Sequence, residues 1–157
     1  MSGLLEGWDW FDNSLQNVLR ANGFPALNKS QSMMVLYISA GVHRPIEIAR
    51  KMRLSRQAIR HIANQLIATG LLRSTEDRED KRSRRLQFTQ ASDNVREFAE
   101  SVIFSLERVL EQRLGAKNLA ELKRILQLDW GDVLSHLSED SVEAPARRPP
   151  RRASGHR

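Results

Sequence analysis

The stretch Leu71–Thr89, LLRSTEDREDKRSRRLQFT, decides how the chain is read. At its far end Leu86 and Phe88 alternate with Arg85 and Gln87, the period of two expected of a half-buried strand. The tip, Asp77, Arg78, Glu79, Asp80, Lys81 and Arg82, is charged in both signs, where a plain exposed turn needs a Gly or Asn more than it needs charges. Strands over about 72–75 and 84–89 therefore flank a charged hairpin. Just before it, Ser55–Gly70 has a capping serine, an inward stripe of Ala58, Ile59, Ile62, Leu66 and Ile67, and a terminal glycine suited to a left-handed turn. The order is helix, strand, charged hairpin, strand. Such an order suits duplex DNA: a helix fills the major groove while a basic hairpin reaches toward the neighbouring minor groove.

Working upstream, Pro45 suits the first position of a short helix through Met52, with Glu47 in its first turn where the helix dipole favours a carboxylate. With Ser55–Gly70 this helix has helix-turn-helix spacing, Ile48 and Ala49 facing Ile59 and Ile62. Before it, Asn28 and Gln31 have the spacing of a capping box for a helix to Gly41, whose Met34, Leu36, Tyr37 and Ile38 predict a segment largely surrounded by the fold. The first helix carries Leu4, Trp8, Phe11, Leu15 and Val18 on one face and stops at Asn22-Gly23, before Pro25. Downstream, Ser92–Leu114 reads as a long helix with Val95, Phe98, Val102, Leu106, Val109 and Leu110 in a stripe. Gly115 breaks it. A sixth helix is predicted over about 118–137, with Asp129-Trp130-Gly131-Asp132 placed to kink or interrupt it. The last segment, EAPARRPPRRASGHR, lacks any apolar period, and 141–157 is expected to be a disordered basic tail.

The net charge of +6 is unevenly divided. Residues 44–85 hold twelve Lys/Arg against five Asp/Glu, and 141–157 five Arg against one Glu, whereas the remainder is acidic. A polyanionic partner for the middle of the chain explains that division, because Lys and Arg displace counterions from phosphates; an ordinary solvated basic surface is the alternative. Without cysteine there is no disulfide framework, thiolate zinc site or thiol switch. No apolar run approaches the roughly 20 residues that cross a bilayer, and MSGLLEGWDW has no secretory pattern, so a cytoplasmic, nucleoid-associated location is expected. His43, His61, His136 and His156 are scattered, and no phosphate loop or metal spacing occurs. Neither an enzyme nor a metal or other cofactor is expected.

The outward face of 55–70 carries side chains that read base edges or grip phosphates: Arg56, Gln57, Arg60 and Asn64, with His61 beside them. Ser55 caps that helix, and the same end offers backbone N–H groups to a phosphate. In the hairpin, Arg82 is the candidate for the minor groove, held in orientation by Asp77 or Asp80 through a charge-assisted pair. Arg84 and Arg85 are assigned to phosphates or to the hairpin's own acids.

From Leu27 to Ser92 the chain resembles the DNA-binding core of the MarR (multiple antibiotic resistance regulator) family. The resemblance rests on Leu27 and Gln31, on PIEIARKMRLSRQAIRHIANQLIATGLL, and on Asp77-x-x-Asp80-Lys81-Arg82-x-x-x-Leu86-x-Phe88-Thr89, similar to that family's D-x-x-D-R-R wing. It implies a mainly α protein with a small β-wing: a winged helix-turn-helix (27–92) with N- and C-terminal dimerisation helices (4–22 and 92–137) in one domain, 1–140. It further implies a homodimer in which Leu4, Trp8, Phe11 and Leu15 pack with Leu119, Leu122, Leu126 and Val133, binding a pseudo-palindromic operator in double-stranded DNA as a repressor. A small aromatic or anionic effector in a cleft lined by Trp8, Phe11, Tyr37 and Phe98 belongs to the same expectation, although such residues also serve as plain core. Arg53 and Ser92 stand where the family often has Gly, which places the geometry of the α-turn and of the wing's end in question. The rival reading is a winged helix that docks an acidic protein partner.

Overall fold

The computed structural model describes residues 2–77, 83–131 and 133. Its elements are α1 (Ser2–Ala21), α2 (Lys29–Ser39), α3 (Pro45–Met52), α4 (Arg56–Ala68), β1 (Leu72–Glu76), β2 (Arg84–Phe88), a 3-10 turn (Gln90–Ser92), α5 (Asp93–Leu114) and α6 (Ala116–Leu126). The chain divides into two units, Met1–Ala120 and Glu121–Arg157.

Local chemistry sets the ends of α2, α3 and α4. Asn28 and Gln31 form the capping box, Gln31 N donating to Asn28 Oδ1 and Asn28 N to Gln31 Oε1, both at 3.0 Å. Pro45 opens α3, and Ser55 Oγ accepts from Ala58 N at the start of α4. After α4, Gly70 at φ +77° lets Leu71 N return to Leu66 O (3.1 Å), so the chain turns directly into β1.

Met34 and Ile38 of α2, Ile48 of α3, Ile59 and Leu66 of α4, and Leu72 and Leu86 of the hairpin make one core, each at most 2% exposed. β1 and β2 are antiparallel, with Leu72 opposite Phe88 and Ser74 opposite Leu86. Beyond the core, α1 packs on α5, where Leu19 and Val102 are buried. Leu36, expected inside, is exposed, because the buried face of α2 is spanned by Ser32, Met34 and Ile38. On α1 the buried positions are Asp12, Gln16 and Leu19, while Trp8, Phe11, Leu15 and Val18 are half-buried. That helix therefore rotates a polar pair inward, and the pair's hydrogen bonds, described below, make this tolerable.

The sixth helix is shorter than expected. It ends at Leu126; Gln127 and Leu128 close it with bonds to Arg124 O and Ile125 O, and Asp129 Oδ1 accepts from Gly131 N at 2.8 Å in an Asx turn. Val133 is described and lies outside the helix, and 134–137 fall outside the described residues.

Both departures from glycine are accommodated. Ser92 has φ −87° and ψ −4°, which any residue adopts, and its Oγ donates to Thr89 O at 2.7 Å. Arg53 has φ 53° and ψ 40°, in the left-handed region, where a side chain costs roughly 1–2 kcal/mol. It is the one positive-φ residue other than glycine among the described residues. We expect Arg53→Gly to leave stability unchanged or raise it by up to about 1 kcal/mol, the relieved strain being offset in part by unfolded-chain entropy. Arg53→Val should lower it by about 1–2 kcal/mol. Urea denaturation of the two variants decides the matter, and a stability loss in the glycine variant would contradict the strain argument.

Candidate nucleic-acid interface

The amphipathic pattern of α4 leaves one face in the core and one in solvent. With Ile59, Ile62, Ala63 and Leu66 buried, Arg56, Gln57, Arg60, His61 and Asn64 are all exposed, and Ser55 is exposed at the helix start. Arg56, Gln57, Arg60 and Asn64 recur at helical spacing, and each bears the planar or forked donor set that matches a base edge. His61 is partly engaged: Gln65 Nε2 donates to its Nε2 (2.9 Å), and Gln31 Nε2 donates to Gln65 Oε1 (3.1 Å). This chain ties the face of α4 to the start of α2.

The hairpin is held by a carboxylate. Asp77, 1% exposed at the end of β1, accepts from Arg44 Nε at 2.7 Å, and Arg85 Nη1 lies 3.5 Å from the same oxygen. Its backbone N donates to Ser83 O, the closing bond of the wing's described part. Arg44 is the N-cap residue of α3, so Asp77 joins the hairpin to the helix-turn-helix. The backbone repeats the connection one residue away: Leu86 N donates to His43 O (2.9 Å), and Leu86 O accepts from His43 Nδ1 (3.1 Å). Arg84 is turned along the hairpin, its Nε donating to Ser74 Oγ (3.1 Å) and its Nη2 to Ser74 O (3.2 Å). Among the described residues the arginines that meet Asp77 are Arg44 and Arg85. Asp80 and Arg82 lie outside the described residues. Arg44 was not singled out in the sequence, because a residue before a helix-starting proline has no pattern pointing to a partner 33 positions away.

A second feature lies behind this face. Within Met1–Ala120, α1, α2, α5 and the base of the wing border a half-open cavity of about 650 Å³ lined by Trp8, Phe11, Leu15, Phe24, Leu36, Phe88, Val95 and Ile103, with Asp12, Gln16, Ser32, His43, Arg96 and Glu100 among the polar groups. Trp8 and Phe11 line it as expected; Tyr37 and Phe98 do not. Tyr37 lies under Lys51, and Phe98 packs on Phe24 with ring centroids 5.1 Å apart. Of the remaining residues assigned to a dimer, Leu4, Leu122, Leu126 and Val133 are exposed and Leu119 is half-buried. Among the described residues no group of three His, Asp or Glu is placed to hold a metal, and no helix is long and apolar enough to cross a membrane.

A helix-turn-helix with an antiparallel hairpin tied to its first helix defines the winged helix class. The model of the MarR family matches residues 27–83, most of the winged helix of this chain. Solved structures agree in fold at low identity. The transcriptional regulator Tm0710 from Thermotoga maritima is 21% identical with TM-score 0.56, covering 79% of this chain and 86% of that one. A mutant MarR from E. coli complexed with operator DNA is 19% identical with TM-score 0.58, covering 80% and 90%. NadR in complex with 4-hydroxyphenylacetate is 17% identical with TM-score 0.61, covering 79% and 86%. No curated protein matches the chain.

The Asp77 pairs are testable through stability. A double-mutant cycle of Asp77→Ala and Arg44→Ala should give a coupling of about 1–2 kcal/mol, moderated because the guanidinium is 31% exposed. A coupling near zero would mean that the Arg44 pair does not hold the wing, which would then rest on Arg85, the His43–Leu86 bonds and the burial of Leu72 and Leu86.

Proposed function

We propose that the protein is a sequence-specific regulator of transcription that binds double-stranded DNA as a homodimer. The observation that carries the reading is the outward face of α4, where every side chain suited to base contact is in solvent and the hairpin beside it is fixed to the same unit. In this reading Arg56, Gln57, Arg60 and Asn64 enter the major groove, Arg82 enters the minor groove, and Ser55, His61 and Arg84 meet the backbone. Arg84 and His61, already engaged within the protein, contribute the donors their internal bonds leave over. The E. coli MarR structure similar to this one is complexed with operator DNA, which supports the assignment.

The homodimer is supported by apolar side chains without cover: Leu4 on α1, and Leu122 and Leu126 one turn apart on α6. Two copies related by a two-fold axis place two α4 helices about one DNA turn, roughly 34 Å, apart, so the operator is a pseudo-palindrome. Occlusion of a promoter makes repression the simplest output. A small-molecule effector occupies the cavity behind the wing, a reading supported by its volume and by the ligand in NadR. The action is on nucleoid DNA in the cytoplasm.

Arg60→Ala should weaken operator binding by about 1–3 kcal/mol and relax preference at the bases it reads. Arg82→Ala should cost a similar amount and lower the slope of log affinity against log salt. Salt-titrated binding to random duplex DNA separates this reading from a winged helix that docks an acidic protein, since the latter should show little affinity at any ionic strength.

A further inference from the structure

The cavity contains a buried carboxylate that the fold does not neutralise. Asp12 is 5% exposed on α1, and its Oδ1 accepts from Ser32 Oγ at 2.8 Å and from Gln16 Nε2 at 3.4 Å. Gln16 is fixed in turn, donating to Ser32 Oγ (2.9 Å) and accepting from Leu27 N (2.7 Å). This seam holds one carboxylate oxygen in place from both α1 and α2. No donor reaches Oδ2 among the described residues, no fully buried side-chain oxygen there lacks a partner, and Asp12 is one of the residues that line the cavity. No basic side chain forms an ion pair with Asp12 among the described residues.

Of the other charges lining the cavity, the Arg96 side chain is 41% exposed and partly paired, and Glu100 has the same sign as Asp12. Arg96 donates from Nη1 to Asp93 Oδ1 (3.0 Å) and lies over the Phe88 ring, 4.5 Å from its centroid. His43 has its N–H on Leu86 O and brings no free donor in that tautomer. Glu100 adds a second carboxylate at an exposed part of the wall. The apolar wall includes the faces of Trp8, Phe11 and Phe24, and aromatic faces attract cations. A buried, half-satisfied carboxylate beside aromatic rings is the chemistry of an ammonium site, since an anion there would meet a like charge that no basic side chain pairs.

We propose that the cavity selects an amphipathic organic cation, an amine with an aromatic or aliphatic body, whose ammonium group pairs with Asp12 while its apolar part packs against Trp8, Phe11 and Phe24. This gives the ligand of this chain the opposite charge to the 4-hydroxyphenylacetate bound by NadR. It rests on the reading of the cavity as an effector site for its regulatory consequence, while the charge preference stands on the lining itself.

The test uses the purified full chain without DNA and three ligands of one shape: phenethylammonium, phenethyl alcohol and phenylacetate, each titrated by calorimetry. The ammonium should bind at least about tenfold more tightly than the alcohol, as a charge-assisted bond implies, and the carboxylate least tightly. Asp12→Asn, which keeps an oxygen for Ser32, should abolish the advantage of the ammonium over the alcohol while a melting curve reports that the fold is intact. Equal binding of ammonium and alcohol, tighter binding of phenylacetate, or no binding of any of the three overturns the proposal on the unmutated protein, whatever the variant does. Operator binding measured with and without the ammonium is read separately. An unchanged DNA affinity, with the charge preference present, removes the effector reading and leaves the cation site standing.

Discussion

The constraint on which the interface depends is the burial of Asp77. A carboxylate 1% exposed at the end of a two-stranded hairpin is costly unless donors reach it, and among the described residues Arg44 at the start of α3 and Arg85 on β2 do so. An isolated two-stranded hairpin is marginal in water. This one is retained because its inner face puts Leu72 and Leu86 into the α2–α3–α4 core while Asp77 and the His43–Leu86 bonds fix its edge to the chain entering α3. The fold thus sets the wing's position relative to α4 with apolar burial and its orientation with charge. Apolar contact alone permits sliding; a 2.7 Å ionic hydrogen bond has a direction.

Much of the winged helix was legible because its signals are local. Asn28 with Gln31, Pro45, Ser55 and Gly70 each act on the nearest turn of backbone, and each stands at the element end the sequence assigned to it. The outward face of α4 was legible for the same reason: a helix with Ile59, Ile62 and Leu66 inside can only present Arg56, Arg60 and Asn64 outside. Contacts between distant positions were not. Arg44 and Asp77 are 33 residues apart, and periodicity carries no information about which arginine a given aspartate meets.

The polar seam of α1 shows how a periodic reading goes astray. Leu4, Trp8, Phe11, Leu15 and Val18 form a regular stripe, and the natural inference places that stripe inward. In the structure the inward positions are Asp12, Gln16 and Leu19, next to the stripe by about one step around the helix. The shift is tolerated because Ser32 on α2 and the backbone of Leu27 complete the hydrogen bonds. The displaced aromatics, Trp8 and Phe11, then border a space instead of filling it, and the cavity follows from the same rotation that buries the carboxylate. The end of α6 has a related origin: Asp129 bonds to Gly131 N, a side-chain alternative to continued helix that a count of apolar residues does not weigh.

The cavity and the DNA-facing parts meet at His43. Its side chain lines the cavity and donates to Leu86 O, while its carbonyl accepts from Leu86 N, so one residue borders the cavity and holds the strand that carries the wing. A ligand changes affinity at a distant surface only by binding one arrangement of the protein better than another. Leu86 is 2% exposed, fixed in the core as well as to His43, so the strand has little freedom to drift by small amounts. A differential contact at His43 would therefore act on the hairpin and the start of α3 together, because Arg44 and Asp77 bind those two elements into one piece. On the proposed reading of the cavity as a ligand site, its occupation would bear on the placement of α4 through the contact of that piece with α1, α2 and α5, the other walls of the cavity.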